Sequence, residues 1–221
     1  MFPLYNDKHT VKLMIAKSLS VLKKLKKKYE IIIVDDGCPQ NSGKLAAKIA
    51  KKFANIKIFF HKKNLGYGAA IRTGLKKCKN DWIFITDGDN EFDVNDLLKL
   101  VKAAKYNDLV ITYRHKKIYN TKRIVISWTY NAILRLLFRT KFRDVSSASR
   151  LVSKKLAKSI KLQSTSPFIG AELAMKSMWA GYKVGEIGID QYPQTFRNEA
   201  ISLKNILLTI KDMILLFIRI L

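Results

Sequence analysis

The chain has 221 residues, 48% of them hydrophobic, with 10 glycines and 4 prolines, a composition suited to one globular core rather than to a low-complexity chain. Its 42 Lys and Arg against 17 Asp and Glu give a formal charge of +25, so its partner should be anionic: a nucleic acid, an anionic bilayer or a phosphorylated small molecule. The two cysteines, Cys38 and Cys78, lack CxxC spacing, which argues against a disulfide framework or a zinc site and suits a reducing, cytoplasmic setting.

In chain order, apolar runs alternate with amphipathic stretches. Residues 30–34, 56–60, 82–86 and 109–112 read as buried strands, and 11–27, 44–53, 69–77 and 94–104 as the helices between them. Such alternation predicts an α/β fold with a mostly parallel sheet covered by helices. Farther on come a basic amphipathic segment over 123–138, a short strand near 148–152, a helix near 170–180 and a strand near 183–189. Ser202, Asn205, Thr209 and Asp212 recur at three- and four-residue spacing, so 201–221 reads as a C-terminal amphipathic helix appended to a domain over 1–200. The first apolar stretch, around Leu13, is too short and lysine-flanked for a signal peptide. No segment reaches the roughly 20 uncharged apolar residues that span a bilayer. His9, His61 and His115 lie singly and suggest no histidine chemistry.

Ligands of parallel sheets bind at the carboxyl ends of the strands, and three of those ends are chemically unusual. Asp87, Gly88 and Asp89 form a D-x-D after WIFIT, with Glu91 two residues on. Carboxylates spaced this way can converge on a hard cation that bridges to a diphosphate. Asp35 and Asp36 end a second strand. Either they accept hydrogen bonds from a ribose or base, or one of them caps the following backbone. The run from Asn64 through Gly66 and Gly68 to Ala70 is a tight turn into a helix whose N-terminus could face a phosphate. A full G-x-G-x-x-G and a Walker A sequence are both missing, which weakens NAD and P-loop readings.

Taken together, these motifs resemble the family two glycosyltransferases of GT-A (Rossmann-like) fold, in particular their polyprenyl-phosphate sugar synthases, the group of dolichol-phosphate mannose synthase. Pro3 to Asp7 is similar to the family's P-x-Y-N-E, with Asp7 for Glu; VDDG is similar to its second acidic motif, and NLGYGAAIRTGL to its N-x-G-x-G-x-A element. Asp87, Asp89 and Glu91 resemble its D-x-D-x-Q metal motif, with Glu91 for Gln. The resemblance implies an inverting transferase that takes a sugar from a nucleoside-diphosphate sugar, needs Mg or Mn, and gives the sugar to a polyprenyl phosphate or other lipid-linked acceptor. It implies that Pro3, Tyr5, Asp7, Asp35 or Asp36, Gly68, Asp87 and Gly88 bind the donor, while Asp87, Asp89 and Glu91 take the metal. Arg114, Arg123, Ser127 and Arg197 would hold the acceptor phosphate, with Asp89 and Arg123 central to catalysis. Asp144 and Arg150 in DVSSASRL resemble a D-x-x-S-G-F-R stretch, and Glu172 and Glu186 a later E … E pattern.

One departure is that the apolar strand before P-x-Y-N-E is cut to Met1 and Phe2, which predicts unpaired backbone in the middle of the sheet. Segments 123–138 and 201–221 combine Arg with Ile, Leu, Trp and Phe, which suits an anionic membrane surface and a peripheral attachment at the cytoplasmic leaflet. A saccharide acceptor is the alternative enzyme reading and would need a carboxylate as base. A basic nucleic-acid binder would leave three acidic strand ends unexplained, so no nucleic acid is expected.

Overall fold

In the computed structural model, which describes residues 1–116, 118, 121–192 and 202–220, the expected alternation becomes seven strands and eight α-helices. The first half runs β1 (Phe2–Leu4), α1 (Val11–Lys24), β2 (Ile31–Asp35), α2 (Ser42–Ala50), β3 (Ile56–Phe60), α3 (Tyr67–Lys77), β4 (Trp82–Ile85) and, after a single 3-10 turn, α4 (Leu97–Ala103). The second half runs β5 (Leu109–Arg114), α5 (Thr121–Phe138), β6 (Arg150–Ser153), α6 (Lys154–Ser159), α7 (Ile169–Trp179), β7 (Val184–Ile189) and α8 (Leu203–Ile218).

β1, β2 and β3 pair in parallel, and β4, β6, β5 and β7 lie side by side in that order with β6 antiparallel to both its neighbours. Met1 joins the two groups. Its carbonyl accepts the Thr86 N–H at 3.2 Å and its amino group donates to the Phe84 carbonyl. The expected gap in the sheet is therefore closed: β1 is only three residues long, but Met1 continues its ladder against β4.

Period-two alternation sorts the strand residues onto two cores. Ile31 and Ile33 pack toward α1, while Ile32 and Val34 pack toward α3, α7 and the C-terminal parts of α5 and α8. Helix α1 follows the 3.6-residue period, burying Val11, Met14, Ile15, Ser18 and Val21, and ends on Lys23 and Lys24, which suit the negative end of the helix dipole. Helix α8 is held by one face. Its Met213 and Leu216 are buried, Phe217 meets Phe138 edge-on at 5.9 Å, and Asp212 Oδ2 accepts the Thr165 and Ser166 N–H groups at 3.0 Å. Its outward residues, including Leu203, Leu207, Ile210, Ile214 and Ile218, are exposed. No helix among the described residues is long and apolar enough to cross a membrane.

Candidate active site

The carboxyl ends of β1, β2 and β4 meet at one crevice, and hydrogen bonds between their loops fix its floor. Past β1 the chain turns through Asn6 at φ 65°, with the Tyr5 N–H donating to Asp7 Oδ2 at 2.9 Å and the Asn6 N–H to Cys38 Sγ at 3.2 Å. Thr10 Oγ1 donates to the Gly88 carbonyl at 2.6 Å, tying this turn to the D-x-D loop. A Cβ on Gly88 would stand 2.9 Å from the Pro3 carbonyl oxygen and 3.1 Å from Asp7 Oδ2, so only glycine allows the two loops to close together. Pro3 is buried in β1, Asp7 is buried beside Gly88, and Tyr5 presents an exposed ring at the rim.

The two aspartates of β2 serve the backbone. Asp35 accepts the Cys38 N–H at 2.7 Å and the Gly43 N–H at 2.7 Å, capping α2 in place of Asn41, which has a left-handed backbone and no capping bond. Asp36 accepts the Leu65 and Gly66 N–H groups, both at 2.9 Å, and pairs with His61 Nδ1 at 2.6 Å, while His61 Nε2 meets Thr73 Oγ1 at 2.9 Å. Of the two sequence readings, capping of the following backbone has direct geometry for Asp35, while Asp36 holds the backbone of the turn before α3. His61, given no role by its isolation in the sequence, braces the turn that leads into α3.

That turn also explains Gly66 and Gly68. The Gly68 N–H donates to the Thr165 carbonyl at 2.8 Å, and a Cβ on Gly68 would lie 2.4 Å from the Ser164 carbonyl oxygen, so the residue is needed for close backbone packing. The next contact involves a residue that the motif, read for its glycines, did not single out. Tyr67, in the first turn of α3, donates its hydroxyl to Asp87 Oδ1 at 2.8 Å. Burial raises the Asp87 carboxyl well above the usual carboxylate range, the charge of Asp89 pushes it farther, the Tyr67 bond opposes, and Glu91 and Asp7 add to the rise. Arg150, buried below, is the cation whose field reaches Tyr67, Asp87, Tyr130 and Asp144.

The carboxylates of Asp7, Asp89 and Glu91 stand close enough to raise Asp87, and such a grouping of acidic side chains is an environment that a hard cation relieves. Among the described residues no three His, Cys, Asp or Glu side chains already form a metal cage. Asp87 and Asp89 nevertheless fit Mg or Mn, which are commonly held by one or two carboxylates together with substrate phosphates and water. Glu91, expected beside them, is turned elsewhere: Oε1 accepts from Gln191 Nε2 at 2.6 Å and Oε2 lies 3.8 Å from Arg123.

Of the residues expected to hold an acceptor phosphate, Arg123 and Ser127 are one turn apart on α5, both partly exposed. Arg114 differs from them. Its Nε and one terminal nitrogen approach Asp144 Oδ2 at 2.8 and 2.7 Å, with both side chains at most 5% exposed, so the guanidinium braces the end of β5. Asp144 in turn accepts from Asn131 of α5 at 3.2 Å and from the Ser146 N–H at 3.1 Å. Arg197 lies outside the described residues.

Comparison with known proteins matches this arrangement. Over 204 residues the chain is 22% identical to a glycosyltransferase AglD of Haloferax volcanii, covering 88% of this chain and 33% of that protein. It is 33% identical to human dolichyl-phosphate beta-glucosyltransferase over 48% of this chain and 35% of that protein. A third relative, an undecaprenyl-phosphate 4-deoxy-4-formamido-L-arabinose transferase of Pseudomonas fluorescens, is 29% identical over 53% of this chain and 35% of its own. The chain thus spans about a third of the length of these curated relatives. In three dimensions it is similar to glucosyl-3-phosphoglycerate synthase of Mycobacterium tuberculosis, solved with Mn2+, uridine diphosphate and phosphoglyceric acid: TM-score 0.70 at 14% identity, over 90% of this chain and 70% of that one. These structures share the GT-A fold expected from the sequence. The Glycosyl transferase family 2 model matches residues 1–161, across all four strand-end motifs that build the crevice, and the chain belongs to that family.

Proposed function

We propose that this chain transfers a sugar from a nucleoside-diphosphate sugar to a polyprenyl phosphate, with inversion, at the cytoplasmic leaflet of an anionic membrane. The observation that carries this reading is the position of Arg123. It lies beside the D-x-D loop, on a helix that also exposes Ile124, Val125, Ile126 and Trp128, so a phosphate and an apolar chain have adjacent places to bind.

Tyr5 stands at the rim, where the nucleotide would enter, with Asp7 beneath. Asp35 and Asp36 keep the loops around it in shape. Asp87 and Asp89 would hold the cation, which when bound offsets charge on the departing diphosphate. Tyr67 fixes the rotamer of Asp87 by its hydrogen bond. Arg123 and Ser127 orient the acceptor phosphate, one oxygen of which attacks the anomeric carbon. The bond from that carbon to the diphosphate oxygen breaks and its electron pair leaves with the nucleoside diphosphate. The attacking oxygen is already anionic, so no general base is needed.

Support for a lipid-linked acceptor comes from the polyprenyl-phosphate relatives and from the apolar side of α8, where Leu203 and Ile218 are 72% and 61% exposed. The excess of 42 Lys and Arg over 17 Asp and Glu favours anionic lipids. UDP-glucose is the first donor to try, because solved neighbours of this fold hold it. The test is transfer of radiolabel from UDP-glucose into undecaprenyl phosphate in phosphatidylglycerol vesicles with Mn2+. The reading requires organic-phase label that disappears with chelator and in Asp89→Ala. Label that survives both removes the role given to Asp89 and the cation.

A further inference from the structure

Glu91 departs from the Gln of the motif it resembles, and its side chain does not sit where a third metal ligand would be expected. It is 4% exposed, yet it carries a carboxylate 3.8 Å from Arg123, the cation assigned to the acceptor. Three further bonds fix it there. Gln191 Nε2 donates to Glu91 Oε1 at 2.6 Å, Gln191 Oε1 accepts the Ile118 N–H at 3.2 Å, and the Tyr192 N–H donates to the Glu91 carbonyl at 3.1 Å. The backbone on either side is tied as well, by an antiparallel bridge between Phe92 and Gln191. Glu91 therefore joins the end of the D-x-D loop, the approach to α5 and the segment after β7.

We infer that Glu91 is a positioning residue that holds Arg123 in place before the acceptor arrives and competes with the acceptor phosphate for it, so that phosphate binding is weaker than Arg123 alone would give. This rests on the acceptor reading above. A 3.8 Å separation is an ion pair without a hydrogen bond, so it holds the guanidinium loosely. A phosphate offers two charged oxygens in the planar geometry that a guanidinium prefers and can take Arg123 from the carboxylate. A neutral hydroxyl does not compete for the guanidinium, so its binding does not depend on Glu91.

The variant is Glu91→Gln, which keeps the volume and an oxygen for Gln191 while removing the charge. Farnesyl phosphate and farnesol are titrated calorimetrically into the full chain preloaded with Mn2+ and UDP. Loss of one partly exposed ion pair predicts about three- to fivefold tighter farnesyl phosphate binding in the variant, with farnesol unchanged. In an Arg123→Ala background the same change should no longer tighten binding, because the pair is then absent. UDP-dependent Mn2+ binding, followed by electron paramagnetic resonance, should stay within about twofold. Unchanged or weaker farnesyl phosphate binding in Glu91→Gln overturns the inference, and so does loss of Mn2+ binding, which would make Glu91 a metal ligand. Wild-type protein that binds farnesyl phosphate no better than farnesol would overturn the acceptor reading itself, and the inference with it.

Discussion

Replacing Gly68 by alanine puts a methyl carbon 2.4 Å from the Ser164 carbonyl oxygen and 2.9 Å from the carbonyl carbons of Ser164 and Thr165. These are backbone atoms, and the loop that carries them cannot easily retreat. Glu172 accepts the Gln163 and Ser164 N–H groups at 2.9 to 3.1 Å, and Asp212 accepts those of Thr165 and Ser166 at 3.0 Å. Overpacking of this kind costs about 1–3 kcal/mol, and losing the Gly68 to Thr165 hydrogen bond adds about 1. The better helix propensity of alanine returns up to about 1 kcal/mol, leaving a net loss near 2. For a domain of this size that lowers the melting temperature by about 4–8 °C. Thermal melts followed by circular dichroism give the answer. A variant that melts within about 1 °C of wild type, with a raised donor KM, would refute the packing argument and return Gly68 to direct phosphate contact.

Arg123→Ala should raise the acceptor KM about tenfold or more in steady-state kinetics, the worth of a charge-assisted hydrogen bond, while UDP affinity by calorimetry stays unchanged. Changing Leu207, Ile210 and Ile214 together to Asn should lower partition into phosphatidylglycerol vesicles by about tenfold in a sedimentation assay without lowering the melting temperature, since each is at least 42% exposed. For Glu172, burial alone would raise the carboxyl, but the Lys176 ammonium and the N–H groups of Ser164 and Gln163 outweigh it and hold the group below its ordinary value. A depressed carboxylate gives stability that is complete above the unfolded value of about 4.3 and is lost as pH falls through the folded value. Glu172→Gln should therefore melt below wild type at pH 7 and approach it in melts below about pH 4; a deficit that does not change with pH would contradict this assignment.

The strand ends were legible because a parallel sheet brings every carboxyl end to one edge, so Asp35, Asp36, Asp87 and Asp89 could be placed without coordinates. What each carboxylate faces was not legible. Spacing does not tell whether Asp35 meets a ribose or the first turn of α2, and the Gly43 N–H that it accepts at 2.7 Å belongs to that turn, whose place depends on how the whole of α2 docks. Arg114 was read as an acceptor contact from its place after β5, yet Asp144, 30 residues away, engages it. The antiparallel course of β6 left no local signal, because RLVS reads as a buried strand in either direction. Helix α6, KKLAKS, is too short for periodicity and was missed. Tyr67 was inside a motif read for its glycines, although an aromatic hydroxyl in the first turn of a helix facing an acidic strand end is a signal that could have been used.

An acceptor competition under one set of conditions decides between a lipid phosphate and the other acceptors. Labelled UDP-glucose and Mn2+ are offered to the chain with undecaprenyl phosphate vesicles, 3-phosphoglycerate and an oligosaccharide present together, and the products are separated by phase and charge. The expected result is label in the organic phase that mild acid releases, as from a glycosyl phosphate and not from a glycoside, and that is lost in Asp89→Ala. Label in phosphoglycerate or the oligosaccharide, with the lipid unlabelled, would contradict it.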